Sequence, residues 1–335
     1  MQRTICLLLT GLSLTALAVL AQDKKPEKTE QKPSEKPASA ELKWTFKPGD
    51  KFYQKMTTTT DQALKIQNQD VKQDQTQEFV FSWTVKSASP QKVELEQKIE
   101  SVSMRIRIGS NEISYNSTSK DQPENPVANF FKPLIGATFT ITLDPKTNHV
   151  IDVQGREDFV KRLRDANPNM SQLLGQILSE DQLKQMAEPA FAVTPPSPVT
   201  VGSSWEREAH LTMGPLGSYD ANYKYTYQGK EKKDSAELDK IEVQASIKYK
   251  PPESTQAGGG LPFKIESGNL EAKEVKGTIY FDSKKGRTHS SEMVVNLTGK
   301  LTISVGDQKA EVELTQKQTT RTETLDSLPQ ETKKP

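Results

Sequence analysis

Phe79, Phe81, Trp83 and Val85 alternate with small or polar residues, and Val102, Met104, Ile106 and Ile108 repeat the pattern among serines and arginines. A period of two puts every second side chain on one face, so each segment predicts a strand with one buried face. The pattern recurs at Phe139, Ile141 and Leu143, at Tyr223, Tyr225 and Tyr227, and from Ile241 to Tyr249. It returns at Met293, Val295 and Leu297 and at Leu301, Ile303 and Val305. Ser89-Pro90, Asp144-Pro145, Gly286, Gly299 and Gly306 supply turns between these runs. The alternate positions are mostly Thr, Lys, Glu and Gln, which suit water, so the sheet is expected to be antiparallel with one wet face. The fold class expected is mainly β (a β-rich α+β chain), a strongly curved antiparallel sheet or half-barrel with a short helical insertion.

The insertion, residues 155–192, breaks the two-residue period. Phe159, Val160 and Leu163 are followed, beyond Asn167-Pro168-Asn169, by Met170, Leu173, Leu174, Ile177 and Leu178, the apolar stripe of an amphipathic helix. Ser179 with Gln182 forms a capping-box pattern ahead of Leu183, Met186 and Ala187, and Pro189 ends that run. Helices this short are unstable alone and must dock on apolar surface, which the sheet supplies. Two readings of the stripe stand: plain core, or a helical cover over an apolar pocket with Met170, Leu174, Ile177, Met186 and Phe191 on its inner side.

The ends differ in composition. Arg3 precedes an apolar run from Ile5 to Leu20, and Val19-Leu20-Ala21 offers a small-residue cleavage site, so residues 1–21 read as a signal peptide. As an uncleaved anchor the run falls short of the roughly 20 apolar residues that span a bilayer. The expected location is therefore exported, periplasmic or extracellular. Residues 22–40 are mostly Lys, Glu, Gln, Pro and Ser with no large apolar side chain, which predicts a disordered linker. The polar run 316–335 is expected to fray likewise, leaving a β-rich domain over 41–315.

Charge and chemistry narrow the function classes. Lys plus Arg number 45 against 44 Asp plus Glu, so no basic field draws nucleic acid. Cys6, the single cysteine, lies in the signal run, so the exported chain is expected to hold together by its core and without disulfides. The sequence has no Gly-x-Ser-x-Gly elbow, phosphate-binding glycine loop or His-Glu-x-x-His helix. His149, His210 and His289 stand far apart, and His149 and His289 read as surface residues near hairpins. Gly258-Gly259-Gly260 after Pro251-Pro252 reads as a flexible loop. No enzyme activity, catalytic residue, metal or cofactor is expected.

Two pairs of segments echo each other. Gly49-Asp50-Lys51-Phe52 and Gly202-Ser203-Ser204-Trp205 share Gly-x-x-aromatic. Leu143-Asp144-Pro145-Lys146-Thr147-Asn148 and Phe281-Asp282-Ser283-Lys284-Lys285-Gly286 share apolar-Asp-x-Lys-x ahead of Asn or Gly, residues that close short hairpin loops. Two similar halves, 41–154 and 199–315, or repeated hairpin chemistry would each account for this. Together with Leu42-x-Trp44-x-Phe46-x-Pro48-Gly49, Pro198-Val199-x-Val201-Gly202 and Gly277-x-Ile279-x-Phe281-Asp282, these segments resemble a family of exported bacterial proteins of unknown function. That resemblance implies no catalytic residues, and its layout is similar to half-barrel carriers of lipoproteins and lipids in bacterial envelopes.

The leading functional expectation is a non-enzymatic binding or carrier protein for an apolar ligand, such as a lipid, or for an envelope protein. The alternative is a structural or assembly component of the envelope without a small ligand. Oligomeric state leaves no mark in the sequence.

Overall fold

The computed structural model describes residues 39–67, 69–121, 124–253 and 261–329. The expected signal peptide, most of the expected linker and Gly258-Gly259-Gly260 lie outside these residues.

Twelve strands form one open antiparallel sheet. β1 (Lys51–Ile66), β2 (Gln69–Ala88), β3 (Val93–Ile108), β4 (Asn111–Asn116), β5 (Thr138–Leu143) and β6 (Val150–Gln154) precede the insertion. β7 (Ser204–Thr212), β8 (Ser218–Lys233), β9 (Ala236–Lys250), β10 (Lys264–Asp282), β11 (Arg287–Val305) and β12 (Gln308–Leu325) follow it. In space the order is β6-β5-β3-β2-β1-β12-β11-β10-β9-β8-β7, with β4 paired to β3 beside this path. Each half of the chain thus lays its strands down in the same direction across the sheet, and β12 joins the second half to β1 of the first.

The echoed segments adopt one geometry in both halves. Gly49 and Gly202 have φ of 90° and 87°, the left-handed region open to glycine. The N–H of Gly49 donates to Val85 and that of Gly202 to Tyr227, each at 2.8 Å. One residue on, the carbonyls of Asp50 and Ser203 accept from the same partners at 2.9 Å. The aromatic residue of each motif then stacks on its cross-strand partner, Phe52 on Trp83 at 6.1 Å and Trp205 on Tyr225 at 5.5 Å.

Three expectations need correction. The run from Gln316 does not fray within the described residues: β12 continues to Leu325, paired with β1 on one side and β11 on the other. Its polar side chains had hidden a strand whose backbone bonds are satisfied on both edges. The linker ends early, because Ala40 exchanges backbone hydrogen bonds with Val199 at 2.8 and 2.9 Å. Gly299 is not a turn but lies inside β11 opposite Leu270, where a Cβ would strike the backbone of Asn269. Glycine is there for close strand approach.

The helices are α1 (Pro126–Phe131), α2 (Arg156–Ala166), α3 (Ser171–Ile177) and α4 (Glu180–Ala187). Ser179 and Gln182 form the capping box read from the sequence. The sequence reading did not include α1, whose only marks are Asn125, accepting the Ala128 N–H, and Pro126 at the first turn. α4 packs on both β6 and β7, the two ends of the strand order. A helix is about 10–12 Å across, so the sheet must curl until its edges stand a helix-width apart. Its inner face then forms one continuous core with the insertion.

Candidate functional site

Closure of the curl is polar as well as apolar. Buried Glu188, just after α4, accepts the edge N–H of Val150 on β6 at 2.6 Å and meets His149 Nδ1 with its other oxygen. On the opposite edge, Gln182 Nε2 donates to the Thr212 carbonyl at 3.0 Å, and the Thr212 N–H donates to Gln185 Oε1 at 3.3 Å. Buried Arg207 of β7 donates to the carbonyls of Ala192 and Thr194 at 3.4 and 3.0 Å. The bonds to Val150 and Thr212 occupy backbone groups that an open sheet edge would offer to another chain.

Phe191 fills the centre of the closure. Its ring lies 5.4 Å from those of both Trp44 and Trp83, and Trp44 donates from Nε1 to its carbonyl at 2.9 Å. Phe281 meets Trp44 edge-on at 5.8 Å. The five residues expected to line a cover therefore separate. Phe191 is 2% exposed and Leu174 is buried in the same core, while Met170 and Ile177 are half-buried against it. Met186 is a correction: at 45% exposure it faces solvent. α4 turns Leu183 to the core, and with 3.6 residues per turn a side chain three positions on is displaced toward the rim of so short a helix.

Farther along the central strands the inner face changes character. One rung across β2, β1 and β12 is Gln73, Gln62 and Gln316. The next is Gln75, Thr60 and Gln318, and the third is Gln77, Thr58 and Thr320. Gln77 and Thr320 are half-buried, and the other members are at most 5% exposed. This polar island has apolar borders: Ile108, Ile106 and Met104 on β3, and Leu297, Val295 and Met293 on β11. Gln62 donates to Gln316 at 3.2 Å, and the hydroxyls of Thr58 and Thr320 lie 3.3 Å apart. Among the described residues, Thr60 Oγ1, Gln62 Oε1, Gln73 Oε1, Gln75 Oε1, Gln316 Nε2 and Gln318 Oε1 are buried without a partner.

The sequence reading had assigned Gln and Thr to the wet face and so missed the island. Parity would have revealed it: Val71, Gln73, Gln75, Gln77 and Phe79 share one face of β2, as Val312, Leu314, Gln316 and Gln318 share one of β12. Beyond the third rung, Phe79 and Phe81 stack at 5.6 Å with planes 5° apart. They share a face with Trp83 and Val85, but only those two are fully buried, while Phe79 and Phe81 remain half-buried. A groove of about 740 Å³ crosses the same strands, lined by Asp61, Lys72, Asp74, Arg107 and Lys317 together with Gln62, Gln73 and Gln316 of the first rung. The five charged side chains have the opposite parity to the island, and Arg107 and Asp74 already pair at 2.9 Å.

The three histidines separate onto Glu188, Asp220 and Asp234. Among the described residues no group of three His, Cys, Asp or Glu side chains is placed to hold a metal. None of their helices is long and apolar enough to cross a membrane.

Fold and inner face together define a curled antiparallel sheet closed by a helical insertion. The chain belongs to the Family of unknown function (DUF6263), whose sequence model matches residues 90–288. No curated protein matches it. Among solved structures, one described as lipid–protein interactions in lipovitellin is 10% identical with a TM-score of 0.41, over 86% of this chain and 26% of that one. The chain thus spans about a quarter of lipovitellin's length. A protein with YmcC-like fold from Bacteroides fragilis is 6% identical with a TM-score of 0.21, over 83% and 98% of the two chains. DynF from the dynemicin biosynthesis pathway of Micromonospora chersina is 8% identical with a TM-score of 0.17, over 93% and 97%.

Proposed function

We propose that this protein is an exported, non-enzymatic binding protein that holds an apolar ligand against the inner face of its curled sheet. The observation that carries the reading is the stacked pair Phe79 and Phe81. Both share the face of the buried core, yet both keep part of their surface exposed. Aromatic area left in contact with water on a core-facing surface can still be covered by a ligand, at roughly 25 cal/mol per Å². Met293, half-buried on the neighbouring face of β11, adds an adaptable side chain. Export is supported by the charged start, apolar run and small-residue site of residues 1–21. A non-enzymatic role is supported by the separation of the histidines, each held by a different carboxylate.

Mass spectrometry of small molecules extracted from protein purified from the producing cell tests this reading. A lipid or other apolar molecule is expected near one per chain, and Phe81→Ser should lower that amount while the far-ultraviolet spectrum stays unchanged. Protein that retains nothing and fails to enhance an environment-sensitive dye would favour the structural envelope component instead.

A further inference from the structure

The polar island is an unusual thing to build into the centre of a core face. β3 and β11 flank the three rungs with apolar residues, Leu64 with Leu314 lies beyond one end, and Phe79 with Met56 lies beyond the other, where β12 alone continues polar through Thr322. Apolar residues at these positions would continue the core. Instead several amide and hydroxyl atoms lie buried without a partner, an arrangement that costs stability. Such groups persist where strain, catalysis or an additional bonding partner explains them.

We propose that the island recognises the uncharged, hydroxyl-bearing head of an amphiphile whose hydrocarbon lies along the apolar inner face. This deepens the binding function proposed above and rests on it. Two features select the head group. None of the three rungs contains an ionisable side chain, so a buried phosphate, carboxylate or ammonium would find no counter-charge and would be heavily penalised. The partnerless groups are glutamine amides, on Gln62, Gln73, Gln75, Gln316 and Gln318, with the Thr60 hydroxyl; an amide turned about its last bond offers either a donor or an acceptor, so the ligand group that suits them does both. Hydroxyl groups donate and accept without charge. The route in is the third rung, where Gln77 and Thr320 are half-buried beside the half-buried Phe79.

Three probes of equal chain length separate the possibilities: 1-monooleoylglycerol, oleate and 1-octadecene, each titrated into the full chain by displacement of a fluorescent fatty-chain probe. Monooleoylglycerol is expected to bind at least about tenfold more tightly than either competitor, as two or so extra hydrogen bonds allow. The double variant Gln73→Met/Gln318→Met, which replaces two partnerless amides with unbranched apolar chains, should keep octadecene binding and reduce the monooleoylglycerol preference to within about twofold. Glutamine side-chain amide resonances of the unmutated protein should shift with monooleoylglycerol and not with octadecene, a readout independent of how the variant folds. Equal binding of all three probes, a preference unchanged in the variant, or unmoved amide resonances would overturn the head-group assignment while leaving the apolar carrier standing. Binding of none would overturn both.

Discussion

Phe191 meets Trp83 edge to face, with ring centroids 5.4 Å apart and planes at 88°. The contact joins the end of the helical insertion to the middle of β2, across more than a hundred residues of chain. Two tryptophan rings converge on this one ring, and Trp44 also donates to the Phe191 backbone carbonyl. Phe191→Ala is therefore expected to cost about 3–5 kcal/mol, as aromatic truncations in cores do. Met186→Ala, on the exposed side of α4, should stay within about 0.5 kcal/mol of the parent. Urea denaturation of both variants measures the difference, and equal losses would contradict the placement of the insertion.

Glu188 is a buried carboxylate used as a backbone partner. Glu188→Leu would leave the Val150 N–H buried without an acceptor and should cost about 1–3 kcal/mol, whereas Glu188→Gln keeps an acceptor and should cost less. Hydrogen exchange at the Val150 amide is the direct test. It should quicken in the leucine variant, and unchanged protection would mean the carboxylate does not hold that edge.

Deleting residues 156–190 removes α2, α3 and α4 together with the partners of Val150 and Thr212. Both edges of the sheet would then offer unpaired backbone groups next to exposed core. The bridged deletion is expected to aggregate during expression. A soluble, β-rich product that binds an apolar dye would instead make the insertion a separable cover.

Alkaline titration follows from the tyrosine-rich face of β8 and β9. Burial raises the phenol pKa of Tyr219 and Tyr225. Burial, joined by the hydrogen bond to Asp239, raises that of Tyr227, and burial raises that of Tyr249. These phenols stay protonated in the folded chain after an unfolded one has begun to release its protons, near pH 10. Their contribution to stability is complete below that pH and falls as pH rises above it. Absorbance at 295 nm should therefore report fewer than the eight tyrosines until a cooperative unfolding step. Smooth titration of all eight near pH 10 would show that the rings are reachable.

Local pattern carried much of this architecture. The period-two runs mark strands, the Ser179 and Gln182 pair marks the start of α4, and the Gly-x-x-aromatic segments mark equivalent turns, because each depends on neighbours in the chain. Strand order, curl and closure depend on partners far apart in sequence. Gln62 and Gln316 meet only because β12 inserts beside β1, and Phe191 reaches Trp83 only because α4 spans both sheet edges. The island makes the division plain. Alternation determines that Gln73 and Gln75 share a face with Phe79, whereas which face is buried is decided by the closing of the sheet.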